Sequence, residues 1–181
     1  MLATMDALQP QFRARGWPDL HVGVGVNSGR MSVGNMGSEI RVAYTVMGDA
    51  VNSASRFEGL TKQYGVGMIV GEATRAACKD IVFRELDRVR AKGKTEPVSI
   101  YEPIGPAAEV GKDRLDELAL WQQVLKLYRA QEWDLAELQL VNLQRMHPGR
   151  GLYPIFIARL AHYRRNPPGP GWDGTWSAES K

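Results

Sequence analysis

Tyr44-Thr45-Val46-Met47-Gly48-Asp49-Ala50-Val51-Asn52-Ser53-Ala54-Ser55-Arg56 is the stretch that decides the fold. A short extended run from Tyr44 to Met47 ends at Gly48-Asp49, and a helix from Ala50 to about Tyr64 follows, with Asp49 placed to cap it. With Val51 as origin and about 100° per residue, Ala54, Phe57 and Leu60 fall at roughly 300°, 240° and 180°, whereas Asn52 and Arg56 fall at roughly 100° and 140°. The amide and the guanidinium, four residues apart, therefore stack on one side, away from the apolar arc. From periodicity alone, a solvated surface is the simpler account of that side.

Upstream, Met1, Met5, Leu8 and Phe12 lie at helical spacing and Gly16-Trp17-Pro18 stops the helix. No capping residue precedes it, so the chain is expected to begin inside an element. Leu20 to Val26 reads as a strand, and Asn27 to Gly37 as a turn with a second short extended piece. Downstream, Gly65 to Val70 is a strand, Glu72 to Lys79 a short helix, Ile81 to Arg90 an extended stretch and Val98 to Ile104 a last strand. This alternation predicts helices layered on one face of a sheet through about residue 104. Pro, Gly and Ala at 105–112 mark a linker, 113–165 reads as helices over Asp113–Gln131, Asp134–Met146 and Leu152–Arg165, and the Pro- and Gly-rich 166–181 reads as an extended tail.

Composition excludes several classes. Of 181 residues, 44% are hydrophobic and 24% charged, which is the balance of a globular chain and not of a disordered one. The net charge of +3 is spread among interleaved acids, so no nucleic-acid surface is expected. The single cysteine, Cys78, excludes an internal disulfide and is expected to be a buried small hydrophobe; with His21, His147 and His162 it forms no zinc-site spacing. No apolar run is long enough to span a bilayer and no leader pattern is present, so this chain is expected to make no membrane contact and to reside in the cytoplasm, although a longer parent could be anchored. Gly23 to Gly29 misses the dinucleotide-binding spacing by one residue, and no Gly-Lys-Ser/Thr follows a loop.

The string from Tyr44 to Arg56 closely resembles the signature of class III adenylate/guanylate cyclase catalytic domains. Val22-Gly23-Val24-Gly25-Val26-Asn27-Ser28-Gly29, Val33-Gly34-Asn35-Met36-Gly37 and Ala91-Lys92-Gly93-Lys94 resemble further motifs of the same family, in the family's order, across about residues 20 to 104. The resemblance implies an α+β fold, an incomplete ferredoxin-like sheet-and-helix layer, followed here by an α-helical hairpin. It implies a reaction in which the ribose 3′-hydroxyl of ATP attacks the α-phosphate and expels pyrophosphate. By position, Thr45 reads the purine edge, Asn52 orients the ribose, Arg56 neutralises charge on the α-phosphate and Lys92 holds the terminal phosphates. Thr45 resembles the residue of bacterial adenylate cyclases, which favours ATP over GTP.

The same resemblance implies Mg or Mn held by two aspartates upstream of this chain's first helix. Asp6, Asp19 and Asp49 match neither position, so no metal ligand is assigned and the isolated chain is expected to be inactive. A homodimer or a cyclase partner chain is implied, because family sites form between subunits. A non-catalytic cyclase-like adaptor, binding nucleotide or a protein partner, is the alternative. Within the tail, Ala136, Leu140, Leu143 and Pro148 fit the second helix of a tetratricopeptide-type repeat, and Trp121, Leu125, Leu135, Leu138 and Leu143 are expected to form the hairpin seam.

Overall fold

A computed structural model describes residues 1–38, 41–90 and 96–176. In chain order the elements are α1 (Leu2–Ala14), β1 (Val24–Val26), β2 (Ser32–Ser38), β3 (Arg41–Met47), α2 (Asp49–Tyr64), β4 (Met68–Gly71), α3 (Glu72–Ala77), β5 (Ile81–Val89), β6 (Val98–Pro106), α4 (Lys112–Arg129), α5 (Trp133–Met146) and α6 (Leu152–Arg165). Four strands form a mixed sheet in the order β1-β4-β6-β5, with β1 parallel to β4 and the other pairs antiparallel. Strands β2 and β3 form a separate antiparallel hairpin in which Gly34 lies opposite Thr45. The expected α+β class is thereby borne out.

Helix α2 lies directly on β1 and β4. The approach depends on missing side chains: a Cβ on Gly25 would collide with the Ala54 carbonyl, and one on Gly23 with the Thr61 hydroxyl. Ala50, Phe57, Thr61 and Tyr64 form the buried face of α2. In β5 the pairing register shifts between Glu85 and Asp87, a bulge that leaves Leu86 and Asp87 both buried where strict alternation would bury only one.

The helical extension shares the core of the sheet. Trp121, Leu125 and Tyr128 of α4, Leu140 and Leu143 of α5, and Tyr153, Phe156 and Leu160 of α6 join Phe57, Tyr64, Ile69, Leu86 and Ile100 in one hydrophobic cluster. The Trp121 indole N–H donates to the Glu85 carbonyl at 2.6 Å, so α4 is tied to a sheet backbone oxygen as well as packed on it. At the other end of this face Glu117 is buried and paired with Arg84 of β5, Arg114 and Arg150, and it accepts the Tyr153 hydroxyl.

Four expectations need correction. Trp121, Leu125 and Leu143 are buried in the hairpin seam as expected, but Leu135 and Leu138 are 53% and 60% exposed, and Ala136 and Leu140 take the buried positions of α5 in their place. Cys78 is exposed, because α3 ends at Ala77 and the chain turns outward there. Asp49 is the first helical residue rather than the cap, which is Gly48. The tail is not merely extended: Trp172 packs on Tyr128, Trp133 and Tyr163, and the Trp176 backbone N–H donates to the Arg88 carbonyl at 3.0 Å. Among the described residues, no helix is long and apolar enough to cross a membrane.

Candidate functional site

The first turn of α2 is placed by the segment before it. Asn27, directly after β1, donates from Nδ2 to the Ala50 carbonyl at 3.2 Å, which ties the start of the helix to the sheet edge. Gly48 then joins β3 to α2 with no intervening loop, so Thr45 on the hairpin and Asn52 on the helix are held close to one another. A cleft of about 520 Å³ lies between them, lined by Met36, Gly37, Thr45, Val46, Met47, Gly48, Val51 and Asn52. Its walls are mostly apolar and backbone, with the Thr hydroxyl and the Asn amide as the polar side chains.

Arg56 stands one turn further along the same exposed side of α2, outside the residues that line the cleft. Neither Asn52 nor Arg56 makes a side-chain hydrogen bond or ion pair with the described residues, and both are exposed. The structure thus brings Thr45 and Asn52 to one cleft and puts Arg56 next to it. Lys92 lies outside the described residues.

Asp19 is engaged by Arg13 at 2.6 Å, and that hydrogen bond holds its carboxyl below the usual range. Asp6 sits on α1 and Asp49 at the start of α2, so the three aspartates do not converge. No group of three or more His, Cys, Asp or Glu side chains among the described residues is arranged to hold a metal ion. The described residues do not fit a two-metal centre.

The sequence profile of the adenylate and guanylate cyclase catalytic domain matches residues 1–102. The chain belongs to this family. Among curated cyclases it is 41% identical over 102 residues to adenylate cyclase 1 of Rhizobium meliloti (strain 1021), covering 56% of this chain and 15% of the relative. It is 44% identical over 101 residues to an adenylate cyclase of Anabaena cylindrica, covering 54% of this chain and 20% of the relative. The chain therefore spans no more than about a fifth of these proteins. Among solved structures, the adenylyl cyclase CyaB from P. aeruginosa superposes with a TM-score of 0.53 at 32% identity over 61% of this chain and 56% of that one. The guanylyl cyclase Cya2 gives 0.52 at 29% identity, over 61% and 55%. The profile includes α1 and stops before α4, so the cyclase match does not account for the helical extension.

Asn27 was not singled out by sequence reasoning as a site residue. Its signal was present, since it sits inside the quoted Val26-Asn27-Ser28-Gly29 motif, but its partner is a carbonyl 23 residues away.

Proposed function

We propose that this chain supplies the nucleotide-orienting part of an adenylate cyclase, which converts ATP to 3′,5′-cyclic AMP and pyrophosphate. The observation that carries the reading is the pair Asn52 and Arg56, exposed and without side-chain partners among the described residues, on the side of α2 next to the cleft that Thr45 lines. Groups whose hydrogen-bonding capacity is not used within the fold are available to a ligand, and an amide beside a guanidinium suits a ribose hydroxyl beside a phosphate.

In the reaction a bond forms between the ribose O3′ and the α-phosphorus, the bond from that phosphorus to the bridging oxygen of the β-phosphate breaks, and the hydroxyl proton is released. Negative charge builds on the α-phosphate oxygens. Arg56, a fixed cation with a planar fork of donors, stabilises that charge, and losing such a group costs about 10²- to 10³-fold in rate. Asn52 fixes the ribose so that O3′ faces the phosphorus. Thr45 hydrogen-bonds the purine edge, which supports ATP over GTP. Lys92 is assigned to the terminal phosphates on the family motif alone.

Catalysis further requires Mg or Mn and two aspartates that this chain does not place together, so a partner subunit or another part of a longer protein supplies them. The isolated chain is then inactive, and the working site forms between subunits of a dimer. The α4–α5 hairpin, with Ala136, Leu140 and Leu143 buried and Pro148 after it, serves as a single tetratricopeptide-like unit.

Complementation tests the reading. The purified chain is mixed with a cyclase catalytic chain that keeps its metal aspartates but has its own Asn and Arg replaced, and cyclic AMP and cyclic GMP are measured with Mn. Cyclic AMP from the mixture, absent from either component and abolished by Arg56→Ala, is the expected result. Cyclic AMP from the purified chain by itself would overturn the division of labour. A silent mixture in which this chain still binds ATP tightly would favour the adaptor reading.

A further inference from the structure

The end of α2 opposite Asn52 is locked to the helical extension. Tyr64, the last helical residue, donates its hydroxyl to Asp87 Oδ2 at 2.5 Å. Arg159 of α6 donates from Nη1 to that same oxygen at 2.5 Å and from Nη2 to the Tyr64 oxygen at 3.1 Å. The other carboxylate oxygen, Oδ1, accepts the Arg88 backbone N–H at 2.7 Å. Tyr64, Asp87 and Arg159 are 1%, 1% and 4% exposed. The bulge in β5 is what turns Asp87 inward to meet them.

Two further contacts restrict the junction. The guanidinium carbon of Arg159 lies 4.5 Å from the Trp176 ring centre and 4.9 Å from that of Phe156, so rings on α6 and in the tail hold it in place. Gly65, directly after α2, has φ +64°, and a Cβ there would come within 3.3 Å of the Gly151 Cα at the start of α6. The C-terminal end of α2 and the N-terminal end of α6 meet backbone to backbone at this point.

A buried ion pair adds little net stability compared with an apolar replacement, because desolvation offsets the attraction. What a fully satisfied buried network adds is a single geometry. Here that geometry relates α2 to β5 and α6 at once. From Tyr64 back to Arg56 is eight residues of uninterrupted helix, about 12 Å at 1.5 Å per residue, so a displacement at one end is carried to the other.

We propose that Arg159 is a positioning residue for the nucleotide-facing side of α2, acting through Asp87 and the Tyr64 hydroxyl, so that the helical extension sets where Asn52 and Arg56 stand. The proposal rests on the reading of those two residues as nucleotide-facing. It gives the extension, which lies beyond the cyclase match, a role in the cyclase site.

The full chain is compared with Tyr64→Phe, Arg159→Lys and Arg159→Met by amide hydrogen exchange without nucleotide, and by ATP affinity. Tyr64→Phe removes one hydroxyl and leaves the ion pair, so it remains informative even where Arg159→Met fails to fold. The expected result is exchange about tenfold faster at residues 52–57 as well as at the mutated end, with ATP affinity about fivefold weaker, the effect lost in an Arg56→Ala background and partly restored by Arg159→Lys relative to Arg159→Met. Faster exchange confined to residues 61–65, or unchanged ATP affinity in Tyr64→Phe, overturns the proposal. An Asn52→Ala chain that binds ATP like the wild type removes the nucleotide reading and not the coupling, which the exchange pattern at 52–57 decides by itself.

Discussion

The two ends of α2 carry similar chemistry in opposite conditions. At the buried end a hydroxyl, a carboxylate and a guanidinium are tied together within Tyr64, Asp87 and Arg159. At the open end the Asn52 amide and the Arg56 guanidinium have no side-chain partner among the described residues. Burial raises the Tyr64 hydroxyl well above its ordinary range, and the Asp87 charge pushes in the same direction, so it remains a donor at any working pH. Burial likewise raises Asp87 against the opposing pull of Arg159. A polar group enclosed in the fold must be satisfied by the fold, whereas one left in solvent is satisfied by water that a ligand can displace. The same residue type thus does structural work at 159 and is exposed, with no partner among the described residues, at 56.

The contrast predicts graded responses to substitution. Trp121→Ala should have the largest effect on stability. The indole is fully buried, packs edge-on to Phe156 at 4.9 Å and bonds to the β5 backbone, so truncation should cost about 3–5 kcal/mol. Because sheet and extension share one core, urea unfolding followed by far-ultraviolet dichroism and by tryptophan fluorescence should remain a single coincident transition shifted to lower urea. A biphasic curve, with the helices melting ahead of the sheet, would show that the two halves are energetically separate.

Next in size is Glu117→Gln, which removes the buried charge that Arg114, Arg150 and Arg84 share, although Arg84 keeps Glu102 at 2.5 Å, and should cost about 2–3 kcal/mol at neutral pH. This substitution also carries a pH signature. Burial acts to raise the Glu117 carboxyl, but hydrogen bonds from Tyr153 and Arg114 and the charges of Arg114 and Arg150 outweigh it, and the net shift is downward. A carboxylate lowered in the folded state contributes stability above its unfolded value of about 4.3 and loses that contribution as pH falls through the folded value. Asp87 is shifted the other way, so acid does not weaken the fold through it. Thermal melts from pH 7 down to pH 3 should therefore show the wild type losing more stability than Glu117→Gln. Parallel curves would assign the acid response elsewhere.

How far these features could be read from the sequence differs between the two ends. The open end was legible: the 3.6-residue period put Asn52 and Arg56 opposite the apolar arc, and the glycines around β1 and Gly48 belonged to the quoted motifs. The buried end was not. Asp87 and Arg159 are 72 residues apart, and no spacing rule connects a strand bulge to the middle of a helix that far away. The seam of α5 was misread for a related reason. Leucine is more hydrophobic than alanine, but the packing distance between helices, which the sequence does not state, puts Ala136 inside and Leu138 out. Trp172 and Trp176 were obscured by the Pro- and Gly-rich composition around them, although aromatic rings in such a stretch need somewhere to pack.

A smaller effect is expected at the crossing of β1 and α2. Gly25→Ala introduces a methyl group against the Ala54 carbonyl, a backbone atom with no easy way to yield, and should cost about 1–3 kcal/mol. Since α2 must lift from β1 to accept it, ATP affinity should fall although Gly25 lines no part of the cleft. A destabilised chain with unchanged nucleotide affinity would mean that β1 relaxes instead, and that the placement of α2 is governed from its other end.

Arg56→Ala should be the mildest change for the fold and the most damaging for the proposed chemistry. An exposed side chain without partners among the described residues contributes within about 0.5 kcal/mol to stability, so the urea midpoint should stay with the wild type. In the complemented assay, however, cyclic AMP formation should fall by about 10²- to 10³-fold, the loss associated with removing a preorganised charge from a developing phosphorane. Arg56→Lys separates charge from geometry: it retains the cation but lacks the planar fork, and should recover only part of the rate. If the lysine chain matched the arginine, the guanidinium would be acting as an unspecific counter-charge. The sharp contrast between the two ends of α2 would then reduce to burial alone.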